Sequence, residues 1–130
     1  MKFLGYIKRY DSNLKFAESL SSYRGKNRID REDLESLIKY LKNGSLLWTW
    51  MEYWVDDEKE SIGGATYYTD GEWVWPFYFI HYLEKYKDLK IADEFIDHVK
   101  AREFVCKNLS EQELDVLEGV YYDNLKQNYK

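Results

Sequence analysis

The stretch from Gly63 to Tyr86 constrains the fold of this chain most, because it combines two strands, a tight turn and a directly following helix. Asp70-Gly71 favours a two-residue type I′ hairpin turn, since glycine adopts positive φ freely and aspartate tolerates it. β-Branched and aromatic residues on both sides predict strands over about 64–69 and 72–75. A hairpin joined directly to a helix is a compact unit that buries aromatic area.

Pro76 is the only proline, and it follows Trp73 and Trp75 at the end of the second predicted strand. Proline cannot donate a ladder hydrogen bond but suits the first turn of a helix, so we expect Pro76 to open a helix over about 77–87. Residues two apart in a strand face the same side. Both indoles should therefore lie on the core side, against this helix or one over about 31–43. The residues given a structural role in this unit are Asp70, Gly71, Trp73, Trp75, Pro76, Tyr82 and Tyr86.

The whole pattern predicts one α+β domain over residues 1–130, with a small antiparallel sheet of about three strands packed with four to five helices. The predicted helices span about 31–43, 77–87, 92–104 and 111–126, with a shorter one between Leu14 and Tyr23. Their apolar residues recur at three-and-four spacing. Asp30 is a suitable N-cap, and Ser110 with Glu113 forms a capping box. Residues 1–10 fit either a short strand or a helical lead-in.

The segment from Ser45 to Val55 is apolar on both alternating faces, which predicts a strand over about 46–55. One face would carry Leu46, Trp48, Trp50 and Trp54, and the other Leu47, Met51, Tyr53 and Val55. The favoured interpretation is a central strand covered on both sides. The alternative is a partly open tryptophan face that binds a ligand. A helix also fits a short apolar run.

The charge and the cysteine count exclude several classes of protein. The formal net charge of −5 disfavours nucleic-acid binding, which needs a basic surface, and is compatible with a basic protein partner. A single cysteine, Cys106, rules out an internal disulfide and multi-cysteine zinc sites. The start of the chain lacks signal-peptide features, and no run approaches the roughly 18 apolar residues of a membrane helix. We therefore expect a cytoplasmic protein that does not bind membranes.

No motif predicts an enzyme, a metal site or a bound cofactor. His81 and His98 lie on separate predicted helices without zinc-ligand spacing, and each is expected at a surface or interface. Cys106 has no adjacent catalytic motif and is expected to be a small buried side chain. Asp70 is better explained by the geometry of its turn than by catalysis.

A family resemblance is carried by four segments that follow one another along the chain. They are Lys42-Asn-Gly-Ser45, Thr69-Asp-Gly-Glu-Trp-Val-Trp-Pro76, His81-Tyr-Leu-Glu-Lys-Tyr86 and Glu94-Phe-Ile-Asp-His98. Over roughly residues 34–99 the chain resembles a family of small bacterial proteins grouped with the immunity proteins of polymorphic toxin and contact-dependent inhibition systems. It departs from that pattern at Phe77-Tyr78-Phe79 and Ala92-Asp93, where a small or acidic residue and a proline are expected.

The resemblance implies a protein without catalytic activity that binds and neutralises a cognate toxin domain in the cytoplasm. Many toxin domains are nucleases with basic clefts, and an acidic surface would speed association with them by electrostatic steering. The partner contacts are expected at the acidic turn, on Asp56, Asp57, Glu58 and Glu60, with exposed tyrosines as anchors. The alternative function is a small-ligand or carbohydrate-binding module that uses the Trp- and Tyr-rich surface.

Overall fold

The computed structural model describes residues 1–130 as an α+β fold with one mixed sheet. Its elements are β1 (Lys2–Phe3), α1 (Lys8–Asp11), α2 (Leu20–Tyr23), α3 (Arg31–Lys42), β2 (Ser45–Val55), β3 (Ser61–Thr69), β4 (Trp73–Pro76), α4 (Phe77–Tyr86), α5 (Asp93–Ala101) and α6 (Glu111–Asn128). The strand order is β1-β4-β3-β2. The α+β class is confirmed, and the details differ from prediction in three places.

The first difference is the fourth strand. β1 pairs in parallel with β4, so the sheet is mixed rather than purely antiparallel. Two residues are too short to show an alternating pattern, which is why the sequence left this segment open. There are six helices rather than four to five, because a single-turn helix, α1, forms in addition to the predicted ones. α2 is also a single turn, and it is all that forms of the helix expected between Leu14 and Tyr23.

The second difference is the turn between β3 and β4. A two-residue turn would pair Thr69 with Glu72, but Thr69 pairs with Val74. Side chains close the wider loop: the Thr69 hydroxyl donates to the Trp73 carbonyl at 2.7 Å and accepts from the Gly71 amide at 3.0 Å. Gly71 does adopt positive φ, at 105°. The Asp-Gly pair therefore marks the turn correctly but not its length.

The third difference concerns β2, which is an edge strand rather than a central one. Only Leu47 and Trp54 are buried along its length. Its register against β3 shifts after Leu46, after Trp50 and after Trp54. A shift by one residue moves later side chains to the other face relative to the partner strand, because the side-chain period of a strand is two. The shifts after Leu46 and Trp54 are of this kind, whereas the shift after Trp50 inserts two residues and keeps the alternation. Simple alternation therefore assigned the two faces wrongly.

Trp73 and Trp75 lie in the core, 4% and 0% exposed. The Trp75 indole donates to the Leu41 carbonyl of α3 at 3.1 Å. Both indoles meet the Phe95 ring of α5 edge-on, with centroids 5.1 and 5.9 Å away. The sequence predicted that both indoles face the core, with α3 as one of two possible partners. It did not indicate that α5 also packs on them.

Gly44 makes this packing possible. A Cβ built on Gly44 would lie 2.5 Å from Cζ2 of Trp75, closer than real Cβ contacts allow. Glycine here lets the α3–β2 connection pass directly over the indole. Nearby, Pro76 is the last residue of β4 and the N-cap of α4, so it closes the strand and the helix begins at Phe77.

Residues 13–15 lie beside the last residues of α6 and the segment that follows it. Leu14 forms an antiparallel bridge with Tyr129. The Lys15 amide donates to the Asn128 carbonyl at 2.8 Å, and the Lys130 amide donates to the Asn13 carbonyl at 3.0 Å. The N-terminal segment is thereby attached to the end of α6. The predicted capping box of α6, with Ser110 and Glu113, is present.

Candidate interaction surface

The acidic turn after β2 contains one residue that cannot contact a partner. The Asp56 side chain is fully buried, so its predicted role as a surface contact is wrong. Its carboxylate accepts from Lys85 at 2.7 Å and is 2.9 Å from Nε2 of His81, both on α4. It also accepts from the amides of Glu58 and Glu60, at 2.8 and 2.9 Å. Asp56 therefore organises the loop from the inside.

The electrostatics of Asp56 favour its charged form. Burial alone would raise the pKa of this carboxyl, but the hydrogen bonds from Lys85, His81 and the two loop amides hold it well below the usual range. The same Lys85 ammonium lies 2.7 Å from Glu58. The loop is thus fixed to α4 by a charged network.

The other acidic residues of the turn are exposed, as predicted. Asp57 is tied to α4 by two tyrosines: the Tyr82 hydroxyl accepts from its amide at 3.0 Å, and Tyr86 donates to its carboxylate at 2.6 Å. The latter bond, followed by burial, raises the pKa of Tyr86 to about 12. Glu58 and Glu60 stand at the outer side of the loop. The structural roles of Tyr82 and Tyr86 are therefore to hold this loop.

A second buried aspartate, Asp70, occupies the β3–β4 turn. It accepts from Tyr40 of α3 at 2.6 Å and lies 2.7 Å from Nε2 of His98 on α5. Two turn amides also donate to it, from Glu72 at 3.0 Å and Trp73 at 2.8 Å. Burial opposes ionisation, but these hydrogen bonds together keep the pKa of Asp70 below its usual value. Asp70 thus joins the turn to two helices as well as shaping it.

Neither histidine faces an activated nucleophile. The His98 ring lies between two carboxylates, with Nε2 beside Asp70 and Nδ1 3.4 Å from Glu72. Burial raises the pKa of the Cys106 thiol to about 11, which keeps it protonated at neutral pH. No group of three or more His, Cys, Asp or Glu side chains is arranged to hold a metal ion. Both histidines serve the buried aspartates.

Several apolar side chains of β2 and α6 remain exposed. We define the edge surface by its exposed members, which are Leu46, Trp50, Met51, Tyr53 and Val55 on β2 and Val116, Val120 and Tyr122 on α6. The half-buried Trp48 links the two elements, since its ring stacks on Tyr122 at 6.1 Å and meets Trp50 edge-on at 5.6 Å. Exposed apolar patches of this kind mark binding sites.

The backbone of β2 is also free on its outer side. β2 has one sheet neighbour, β3. Outside the regular ladders, no backbone hydrogen bond involves residues 45–55. One tyrosine reaches the strand, where Tyr10 donates to the Val55 carbonyl at 2.8 Å. The remaining outward amides and carbonyls are available for pairing.

The charge around this surface is strongly acidic. Residues 45–60 and 111–123 contain ten carboxylates and a single basic side chain, Lys59. The whole chain carries −5, so the rest of the molecule is net positive. A basic residue, Lys126, lies at the margin with its ammonium 4.4 Å from the Tyr122 ring. Negative charge therefore predominates in the two segments that carry the edge surface, and Lys85 pairs with Glu58 and Glu60 at one end of it.

The tryptophans of β2 do not form an open aromatic face. Trp54 is buried, Trp48 is half-buried and only Trp50 is exposed, at 40%. The adjoining cavity, lined by Trp50, Tyr67, Tyr121 and neighbouring residues, has a volume of about 220 Å³. Small-molecule sites are usually larger, from about 300 Å³ upward.

Comparisons with protein families, curated proteins and solved structures give no match for this chain. No helix has both the length and the apolar character needed to cross a membrane.

Proposed function

We propose that this chain is a non-catalytic immunity-type protein that binds and neutralises a cognate bacterial toxin domain in the cytoplasm through its edge surface. The observation that carries the proposal is a group of exposed apolar side chains and a free strand edge, in segments where carboxylates predominate. An apolar centre with a charged rim is the composition of a protein-binding site. The family resemblance supplies the class of partner.

The charge favours a basic partner such as a nuclease domain. The nine exposed carboxylates of residues 45–60 and 111–123 outnumber Lys59 and the neighbouring Lys85, so they would attract a basic cleft and raise the association rate, more strongly at low salt. Asp57, Glu58 and Glu60 are exposed and contribute to this field. Asp56 contributes indirectly, because its buried carboxylate fixes the loop that carries these three residues.

Inhibition by occlusion fits the side-chain chemistry better than catalysis does. Both histidines are engaged by buried aspartates, and the thiol of Cys106 stays protonated. A rigid acidic surface needs no turnover to cover a toxin cleft.

The test is capture of the polypeptide encoded immediately upstream, together with rescue of growth when that polypeptide is expressed. We expect the double variant Glu52→Gln/Glu118→Gln to slow association about tenfold at low salt. The matched control, Glu32→Gln/Asp97→Asn, removes the same charge from α3 and α5 and should leave the rate within about twofold. A neighbour that is harmless to cells, or that does not bind this chain, overturns the proposal.

A further inference from the structure

We infer that the partner adds an extended segment bearing lysine or arginine to the free edge of β2, as a fifth strand of the sheet. The inference rests on the proposed function, since it specifies how the same surface is occupied.

The two edges of the sheet differ in what they offer. β1 has two residues, whereas β2 has eleven. A long edge with unpaired amides and carbonyls is a template for another strand. Strand addition would satisfy those groups, and pockets for alternate side chains would give specificity.

The irregularities of β2 define where a strand can be added. Register shifts interrupt the ladder after Leu46, Trp50 and Trp54, and such bulges bend an edge away from long, flat pairing. The segment from Trp48 to Trp54 lies between the outer shifts, and the middle shift divides it by leaving Met51 and Glu52 without partners in β3. A short added strand would pair with this segment on the side away from β3 and lie beside the exposed Trp50.

The carboxylates near β2 favour a basic segment as the added strand. A second copy of this chain would bring the same carboxylates against Glu52 and Glu118, which repel it. Glu118 lines the shallow depression beside Leu46, Trp48 and Thr49, so a cationic side chain on an added strand would meet it directly. The fitting partner is an extended segment that alternates basic and apolar residues.

Amide hydrogen exchange on the full-length chain tests the inference, first free and then with the upstream polypeptide bound. We expect the outward-facing amides between Trp48 and Trp54 to exchange on the order of a hundredfold more slowly in the complex. The amides already bonded to β3 should change little. Alternating protection distinguishes strand addition from contact through side chains alone, which would leave the outward amides exchanging.

The outcomes separate the inference from the proposed function. A complex without alternating protection along β2 overturns strand addition and leaves toxin binding intact. If no complex forms, the proposed function fails, and a ten-residue peptide alternating lysine and valine then tests the edge alone. Amide shifts confined to residues 48–54 support strand addition, and unchanged spectra overturn it. Concentration-dependent dimers that protect these amides overturn the choice of occupant.

Discussion

Two hairpins share strand β3 and are built from the same kinds of residue, yet one lies in the core and the other lies open. Each contains a pair of tryptophans separated by one residue, to which β2 adds the buried Trp54. Each also has a turn aspartate bonded to a histidine on a helix. In the β3–β4 hairpin these are Trp73, Trp75 and Asp70 with His98, and in the β2–β3 hairpin they are Trp48, Trp50 and Asp56 with His81.

The two hairpins differ in burial because different elements cover β4 and β2. β4 lies between β1 and β3, with α3 and α5 packed on its indoles, so every residue of β4 is buried. β2 lies at the edge, where α6 covers Trp48 only partly. Tryptophan content therefore indicates neither a core nor a binding face until neighbouring elements are known.

The largest contrast should come from truncating one tryptophan in each hairpin. Trp75→Ala removes a fully buried ring and should lower the free energy of unfolding by about 3–5 kcal/mol. Trp50→Ala removes a partly exposed ring and should cost about 1 kcal/mol or less. Urea unfolding of both variants measures this. Equal losses would mean that β2 is as much part of the core as β4.

Replacing the two turn aspartates should also lower stability by different amounts. Asp70→Ala leaves the buried Tyr40 hydroxyl and two turn amides without their acceptor. The free energy of unfolding should fall by about 3 kcal/mol. In the Asp56→Ala variant the Lys85 ammonium still pairs with the exposed Glu58. We therefore expect the free energy of unfolding to fall by about 1–2 kcal/mol. The same unfolding experiment ranks them. The reverse order would show that the acidic loop, rather than the β3–β4 turn, stabilises the fold.

Two glycines should show a similar contrast when each gains a single methyl group. Gly44→Ala places a Cβ against the Trp75 ring and should cost about 1–3 kcal/mol. Gly64 in β3 has open space around its Cβ position, so Gly64→Ala should change stability by about 0.5 kcal/mol at most. Thermal unfolding is sufficient to compare them. A tolerated Gly44→Ala would mean that the indole can move aside.

The two turn aspartates also make stability depend on pH. The pKa of Asp70 is lower in the folded protein than the ordinary 3.8, so the unfolded chain binds the proton first as the pH falls. Its contribution to stability is present above pH 3.8 and is lost as the pH falls toward the folded pKa. Asp56 acts in the same direction.

Asp70→Asn should therefore flatten the acid limb of a plot of unfolding free energy against pH, and Asp56→Asn should flatten it further. The control is Asp97→Asn, which alters an exposed carboxylate on α5. An acid limb that is unchanged in both turn variants would contradict the lowered pKa values.

Local signals in the sequence predicted the local parts of the structure well. The Asp30 cap with its apolar spacing located α3, the capping box located α6, and the strand–turn–strand–proline order located the β3–β4–α4 unit. Each of these depends on residues only a few positions apart. The acid-rich turn likewise identified three exposed carboxylates.

The parts that were missed depend on distant partners. Asp56 is buried because His81 and Lys85 reach it from α4, and nothing near Asp56 in the sequence indicates them. The exposure of β2 depends on its register shifts and edge position, neither of which alternation can reveal. The free strand edge, on which the proposed binding depends, became visible only with the sheet order.

The placement of β1 has a consequence for how the molecule folds. Lys2 pairs with Trp73, and the segment after β1 is attached to the last residues of α6. Contacts between residues so far apart carry a large loop-closure cost and form late, whereas the β3–β4–α4 unit is local. The residues of β1 are therefore among the last to find their native neighbours. Until β1 pairs, β4 is an unpaired edge of the sheet, and such edges make a partly folded chain prone to aggregate.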